Sequence, residues 1–250
     1  PVFERLPRSV RSVLDVPEAR TESIDRFTVD VLDATAAHVP VVKFQSACYE
    51  RYGAAGISVL HHGMAHASAL GLEVILDAKR GDIGNTAKQY AMSLFDHFGF
   101  DSITLSPYLG YDSIGPFVLQ SNKGVFLLCR TSNSSAKDVQ DLRLSSNQLL
   151  FEQIARLAVE WNKNDNIGLV VGATMPEEIT RVRNIAHNLP MLIPGIGAQG
   201  GDLKKSMEYG NQNGIAIINI SRGISFAGDL SEIAIRDSAK QFLEQMREYS

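Results

Sequence analysis

Between positions 74 and 84 the chain reads Val74-Ile75-Leu76-Asp77-Ala78-Lys79-Arg80-Gly81-Asp82-Ile83-Gly84, an apolar run that opens onto alternating charges. On a strand Asp77 and Lys79 project from one face, and Asp82 follows where the strand turns into a loop. Two carboxylates and an ammonium at the mouth of an apolar strand are costly to desolvate unless each has a partner. Held there, an ammonium can face a developing negative charge and donate a proton, while carboxylates keep it ionised and oriented. The bland alternative is a solvated turn, which is what most charge runs are.

A second constellation sits nearer the end of the chain. Pro194-Gly195-Ile196-Gly197-Ala198-Gln199-Gly200-Gly201 places four glycines within seven residues, ahead of a helix-like segment. Asn219-Ile220-Ser221-Arg222-Gly223 ends the next apolar run. Glycines let backbone N–H groups approach an anion, a helix start adds positive potential, and Arg222 offers a bidentate cation. Together these residues read as a phosphate grip; glycines serving only a tight turn are the simpler alternative.

The elements that must position these groups alternate with some regularity. Apolar runs fall at Val39–Gln45, Val74–Asp77, Ser102–Ser106, Val125–Arg130, Ile167–Gly172, Met191–Gly195 and Ile215–Ile220. Helix-period segments surround them at Glu22–His38, Ala54–Leu70, Thr86–Phe98, Ser113–Asn122, Asn147–Asn162, Pro176–Ala186, Leu203–Gly210 and Leu230–Glu248. Strand-then-helix repetition without hairpin signals implies right-handed βαβ units and a parallel sheet. Seven strands is one short of a (β/α)8 barrel. No GxGxxG or GxxxxGK[ST] supports a dinucleotide or mononucleotide fold instead. Lys43, Asp77 with Lys79, Ser106, Thr131 with Ser132, Thr174, Gln199 and Arg222 all fall at carboxyl ends of strands, where barrels build their sites. Loops after the last two strands are the usual barrel phosphate site.

With 250 residues, 44% of them hydrophobic, the chain can bury one barrel-sized core, and residues 1–250 read as one domain. A net charge of −4 argues against a nucleic-acid or membrane-surface partner. No apolar run approaches a membrane span, and no signal peptide is recognised. Cys48 and Cys129 sit in apolar contexts without metal-ligand spacing, as small buried side chains of a cytosolic protein. Arg130–Ser146, rich in Ser, Asn and Asp, is expected to be the longest loop and a candidate lid. His61 and His62 read as ordinary helix residues, Trp161 as core, and Asp101 and Asp112 as turn and cap residues.

The pattern Asp77-x-Lys79-x-x-Asp82-Ile83-x-x-Thr86, with Lys43 in Val41-Val42-Lys43 and the Gly195–Gly201 and Arg222 loops, closely resembles orotidine 5′-phosphate decarboxylases. Leu76-Asp77-Ala78-Lys79-Arg80-Gly81-Asp82 together with Ser106-Pro107-Tyr108-Leu109-Gly110 looks like the bacterial subgroup with longer chains. The resemblance runs through essentially the whole chain. It implies a (β/α)8 barrel acting as a homodimer, converting orotidine 5′-phosphate to uridine 5′-phosphate (UMP) and carbon dioxide without metal or organic cofactor. By the same resemblance Lys43, Asp77, Lys79 and Asp82 form an alternating charge network, with Lys79 the proton donor. Asp82 and Thr86 would reach the neighbouring subunit's site. Ser132 would hold the pyrimidine edge, and Gln199, Arg222 and backbone groups of Gly200 and Gly201 the phosphate.

Two rival readings remain. Sugar-phosphate relatives on the same barrel hold magnesium partly with a glutamate where this chain has Lys43, and a lysine there repels a divalent ion. A catalytically silent phosphate-binding barrel is expected to lose one of the charged residues, and none is lost here. The resemblance also calls for a first strand ending in Asp-Pro. That strand is expected to lie outside this sequence, with Asp15 in Val13-Leu14-Asp15 as the competing candidate.

Overall fold

Each of the seven apolar runs becomes a strand: β1 (Val41–Gln45), β2 (Glu73–Arg80), β3 (Ser102–Leu105), β4 (Gly124–Arg130), β5 (Ile167–Val171), β6 (Met191–Pro194) and β7 (Ala216–Asn219). They follow one another in chain order in a seven-stranded sheet. The computed structural model describes residues 2–7, 10–12, 16–197 and 200–249. Val13–Asp15, the competing first strand, and Gln199 lie outside the described residues. Every residue of β3 and β5 is buried, which explains their continuous apolar runs: a parallel sheet covered on both faces shows no alternation.

The α-helices among the described residues are α1 (Pro17–Thr35), α2 (Ala47–Glu50), α3 (Gly53–Ala69), α4 (Gly84–Ala91), α5 (Gly115–Val118), α6 (Leu150–Trp161), α7 (Pro176–Ile185), α8 (Leu203–Gly210), α9 (Arg222–Ser225) and α10 (Glu232–Glu248). α1 starts earlier than Glu22, because Pro17 opens its first turn and Glu18 meets the positive helix end. The helix expected over Thr86–Phe98 is split: α4 stops at Ala91 and Met92–His97 continues as a wider π-helical turn. The one expected over Ser113–Asn122 shrinks to the single turn of α5.

The chain divides into two compact units. The first comprises Pro1–Ala78, Leu94–Asp101 and Ser221–Glu244. Here α1 packs on α3, and Gly63 makes the approach possible, since a Cβ there would stand 2.9 Å from Thr28 Cγ2 and 3.0 Å from Phe44. His62 Nδ1 lies 2.7 Å from Asp25 and His66 Nε2 2.7 Å from Asp33, so two imidazole–carboxylate pairs clip the helices together. His61 packs edge-on against Phe98. Asp101 performs its expected turn duty: its Oδ2 accepts from Val74 N at 2.9 Å, and its own N–H donates to Val74 O at 3.2 Å.

The second unit comprises Lys79–Ser93, Ser102–Ile220 and Gln245–Ser250. β3 to β7 pair in parallel, with Ile103 opposite Val125 and Ile193 opposite Ile218, and the register of β4 against β5 shifts between Leu128 and Arg130. Arg183, only 1% exposed, donates to Leu189 O at 2.7 Å, His187 O at 3.1 Å and Ile215 O at 3.3 Å, and also to Gly210 O. Its guanidinium ties the ends of α7 and α8 to the entries of β6 and β7, the amino side of the strands, where barrel residues serve stability. Trp161, expected in the core, is only half-buried at the end of α6 against Tyr111. The Arg130–Ser146 loop carries its own structure. It contains a helical turn at Ser134–Asp138, and its Arg143 pairs antiparallel with Leu149 just beyond its end.

Candidate active site

In the first unit, β1 and β2 run in register with Gln45 opposite Asp77 and Lys43 opposite Ile75. Lys43 Nζ donates to Asp77 Oδ2 at 2.8 Å, and Gln45 Nε2 donates to the same oxygen at 3.1 Å. The two charged side chains are 14% and 11% exposed, so this ion pair is largely desolvated and each member depends on the other. Gln45 was not singled out by the sequence reading, although it stands two residues after Lys43 on the same strand face. Arg222, also in this unit, opens the short α9; it is exposed and has no carboxylate partner among the described residues.

Lys79, the first residue of the second unit, has a left-handed backbone with φ of +49°. The simple alternation expected to place it on the face of Asp77 therefore does not run through it. A bulky non-glycine residue is rare in this region and is held there only by its surroundings. Its N–H donates to Thr104 Oγ1 at 3.0 Å, and Ser106 N donates to Arg80 O at 2.7 Å. Gly81 then passes so close to Ser106 that a Cβ would lie 3.3 Å from the serine Cβ. Asp82 accepts from Ile83 N at 2.8 Å and has no cationic partner among the described residues. Thr86 lies exposed on α4.

β4 ends in Arg130, whose guanidinium forms a two-pronged pair with Glu178, at 2.6 Å and 2.9 Å. The hydrogen bonds to Glu178 raise the Arg130 pKa further above its ordinary value, outweighing burial. Gln140 accepts from Arg130 at 3.3 Å and from Thr131 N at 2.9 Å, and donates to Thr131 Oγ1 at 2.8 Å. The loop is thereby tied back to the strand that presents Ser132. Gly172, at the end of β5, lies directly against Ser132. Neither Gly172 nor Gln140 was flagged from the sequence, where one looks like a strand-ending glycine and the other like a loop residue.

In the glycine-rich loop the turn is tight: Gly195, Gly197 and Gly200 have φ of +113°, +76° and +81°. Gly200 N donates to Gly197 O at 2.8 Å and Gly201 N to Gly195 O at 3.0 Å. Both amides expected to grip phosphate are thus engaged within the loop, and holding an anion with them requires the turn to open. Among the described residues, no three of His, Cys, Asp and Glu gather in a group that could hold a metal ion, and no helix is long and apolar enough to cross a membrane.

Residues 13–236 match the model of the orotidine 5′-phosphate decarboxylase / HUMPS family. A relative from Natronomonas pharaonis, named orotidine 5′-phosphate decarboxylase, is 45% identical over 217 residues, 86% of this chain and 80% of its own length. One of the same name from Halobacterium salinarum is 41% identical over 255 residues, covering 100% of this chain and 91% of that protein. Among solved structures, Leishmania donovani OMP decarboxylase superposes with a TM-score of 0.84 at 37% identity, covering 96% of this chain and 91% of that one. Leishmania donovani UMP synthase gives 0.85 at 38% identity over 96% of this chain, which spans about half, 52%, of that longer protein. The fold is α/β, of the (β/α)8-barrel class, with seven of its strands among the described residues. On the family match and these identities together, the chain belongs to the orotidine 5′-phosphate decarboxylase / HUMPS family.

Proposed function

We propose that this chain decarboxylates orotidine 5′-phosphate to UMP and carbon dioxide, the final step of UMP biosynthesis. The observation that carries the reading is the desolvated Lys43–Asp77 pair at 2.8 Å, two residues before Lys79 and five before Asp82. Relatives 41–47% identical that bear the decarboxylase name support it. Lys43 also speaks against the magnesium-dependent sugar-phosphate branch, because an ammonium already occupies the carboxylate a divalent ion would need.

In this reading the bond from the pyrimidine ring carbon to the carboxylate breaks, and its electron pair stays on the ring carbon. The Lys79 ammonium stabilises that charge and then supplies the proton. Asp77 lies near the departing carboxylate. Two like charges roughly 4 Å apart repel by about 4 kcal/mol at an effective dielectric of about 20, and the repulsion fades as carbon dioxide leaves. Lys43 and Asp82 keep the other charges ionised and oriented. Ser132 holds the pyrimidine edge, and Thr86 the ribose. Gln199, Arg222, Gly200 and Gly201 bind the phosphate, whose remote binding energy holds the strained arrangement together.

The proposal treats residues 1–250 as one catalytic domain of a cytoplasmic homodimer, with Asp82 and Thr86 completing the partner's site and no metal or organic cofactor required. The test is loss of orotidine 5′-phosphate absorbance in the presence of a chelator, expected for the native chain and lost by many orders of magnitude in Lys79→Ala. Activity abolished by the chelator, or a Lys79→Ala variant as active as the native chain, overturns the assignment. Mixing inactive Lys79→Ala and Asp82→Ala chains should restore activity, because exchange creates one intact site per heterodimer. Verified exchange without recovery assigns Asp82 to its own subunit's site.

A further inference from the structure

The one non-glycine residue of the charged run whose backbone lies in the left-handed region is Lys79, and a buried side chain on the neighbouring element receives its amide. Thr104 is 1% exposed in the middle of β3, and its Oγ1 accepts from Lys79 N at 3.0 Å. The acceptor in this bond is a side-chain oxygen. The next contacts are close: Ser106 N donates to Arg80 O at 2.7 Å, and a Cβ on Gly81 would stand 3.3 Å from the Ser106 Cβ. We propose that Thr104 is a positioning residue for the decarboxylation: its hydroxyl holds the Lys79 backbone at a φ of +49° and thereby aims the lysine ammonium. The proposal rests on the role given to Lys79 above.

Residues with a Cβ, asparagine and aspartate apart, leave the left-handed region unless something compensates for the steric strain. A threonine branched at Cβ has few χ1 choices, so its oxygen is a fixed acceptor, and burial keeps water from replacing it. A catalytic ammonium displaced by about 1 Å loses on the order of 100-fold in rate while the substrate's remote binding groups are untouched. Nothing in the strand pattern of Ser102-Ile103-Thr104-Leu105 announces this role, since a buried threonine in a strand is ordinary.

The variant that tests it is Thr104→Val, which keeps the shape and removes the acceptor, with Thr104→Ala as the smaller alternative if valine prevents folding. With orotidine 5′-phosphate as substrate, kcat is expected to fall at least about 30-fold with KM within about threefold, because aim is lost and binding is kept. Thr104→Ser, which restores the hydroxyl, is expected to recover kcat to within about fivefold of the native chain. In a crystal structure of the valine or alanine variant, Lys79 should return to a negative φ. A folded variant with kcat within twofold of native, a serine variant no better than valine, or a Lys79 φ that stays positive overturns the proposal. The backbone readout separates the two claims: a wild-type rate in Lys79→Ala defeats the role of the lysine, whereas the φ of Lys79 judges Thr104 whatever the rate does.

Discussion

Gly172 and Ser132 touch where any other residue at 172 would collide: a Cβ on Gly172 would stand 2.9 Å from the Ser132 Cβ and 2.9 Å from its amide nitrogen. Gly172 N also donates to Arg130 O at 2.8 Å, so the strand end cannot slide away without losing that bond. Gly172→Ala must therefore push Ser132. We expect kcat/KM to fall about 10- to 100-fold, the scale of a displaced binding group, with a stability loss of about 1–3 kcal/mol from overpacking. Steady-state kinetics and urea unfolding check both. In a Ser132→Ala background the kinetic part of the loss should vanish; if it persists, Gly172 acts on something other than Ser132.

Removing Lys43 takes an ammonium from a largely buried carboxylate. Asp77 is 8% exposed overall, and in Lys43→Met it keeps the Gln45 hydrogen bond. The expected cost is about 2–4 kcal/mol, between a lost charged hydrogen bond and a broken fully buried pair. Lys43→Met with Asp77→Asn should recover at least about 1 kcal/mol of it, since the carboxylate that lost its ammonium is then neutral. Additive losses in this cycle, read by urea unfolding, would mean that the pair contributes no mutual stabilisation.

Arg222 is exposed and without a carboxylate partner among the described residues, so an anion does not have to displace one. Arg222→Ala should weaken UMP binding by about 2–4 kcal/mol and hardly change uridine binding. Calorimetry with both ligands separates a phosphate contact from a structural role, which would weaken them equally. If Gly200 and Gly201 join the grip, UMP but not uridine should alter their amide hydrogen exchange, because their N–H groups must leave Gly197 O and Gly195 O.

Burial pushes the Cys129 thiol far above its ordinary value of 9.0, with Phe151 O accepting from Sγ at 3.3 Å. In the native protein at pH 8, iodoacetamide should modify the half-buried Cys48 and leave Cys129 intact; urea should expose both. The sign of the pH effect follows. The folded state keeps the thiol protonated, so stability is level below pH 9 and falls as the unfolded chain releases its proton above it. The slope is at most about 1.4 kcal/mol per pH unit for this group. Cys129→Ala should flatten the decline between pH 9 and 10, before the raised Tyr49 phenol adds its own contribution. A decline unchanged in the variant would assign it elsewhere.

Seven strands, their positions to within a residue or two except that β2 runs on from Asp77 to Arg80, and the charged run at the end of β2 were all legible in the amino-acid order. Apolar runs bounded by Gly, Pro or polar clusters are local signals, and the motif residues from Asp77 to Thr86 are neighbours in the chain. What only the tertiary structure decided is how those residues are held. Gln45 reaches Asp77 because β1 and β2 pair in one particular register, and a shift of one residue would turn it to the opposite face. Gly172 shelters Ser132, and Thr104 holds Lys79, across gaps of 40 and 25 positions. Alternation assumes an extended backbone and so makes Lys79 a regular strand residue, yet its φ is set by an acceptor on another strand. Helix ends diverged for a related reason: Met92–His97 and the short α5 take their form from packing around Leu94, Phe95 and Phe117, which overrides weak helical propensity. Periodicity records which residues are apolar and how they are spaced; the contact that aims a side chain depends on register and packing between segments far apart in the chain.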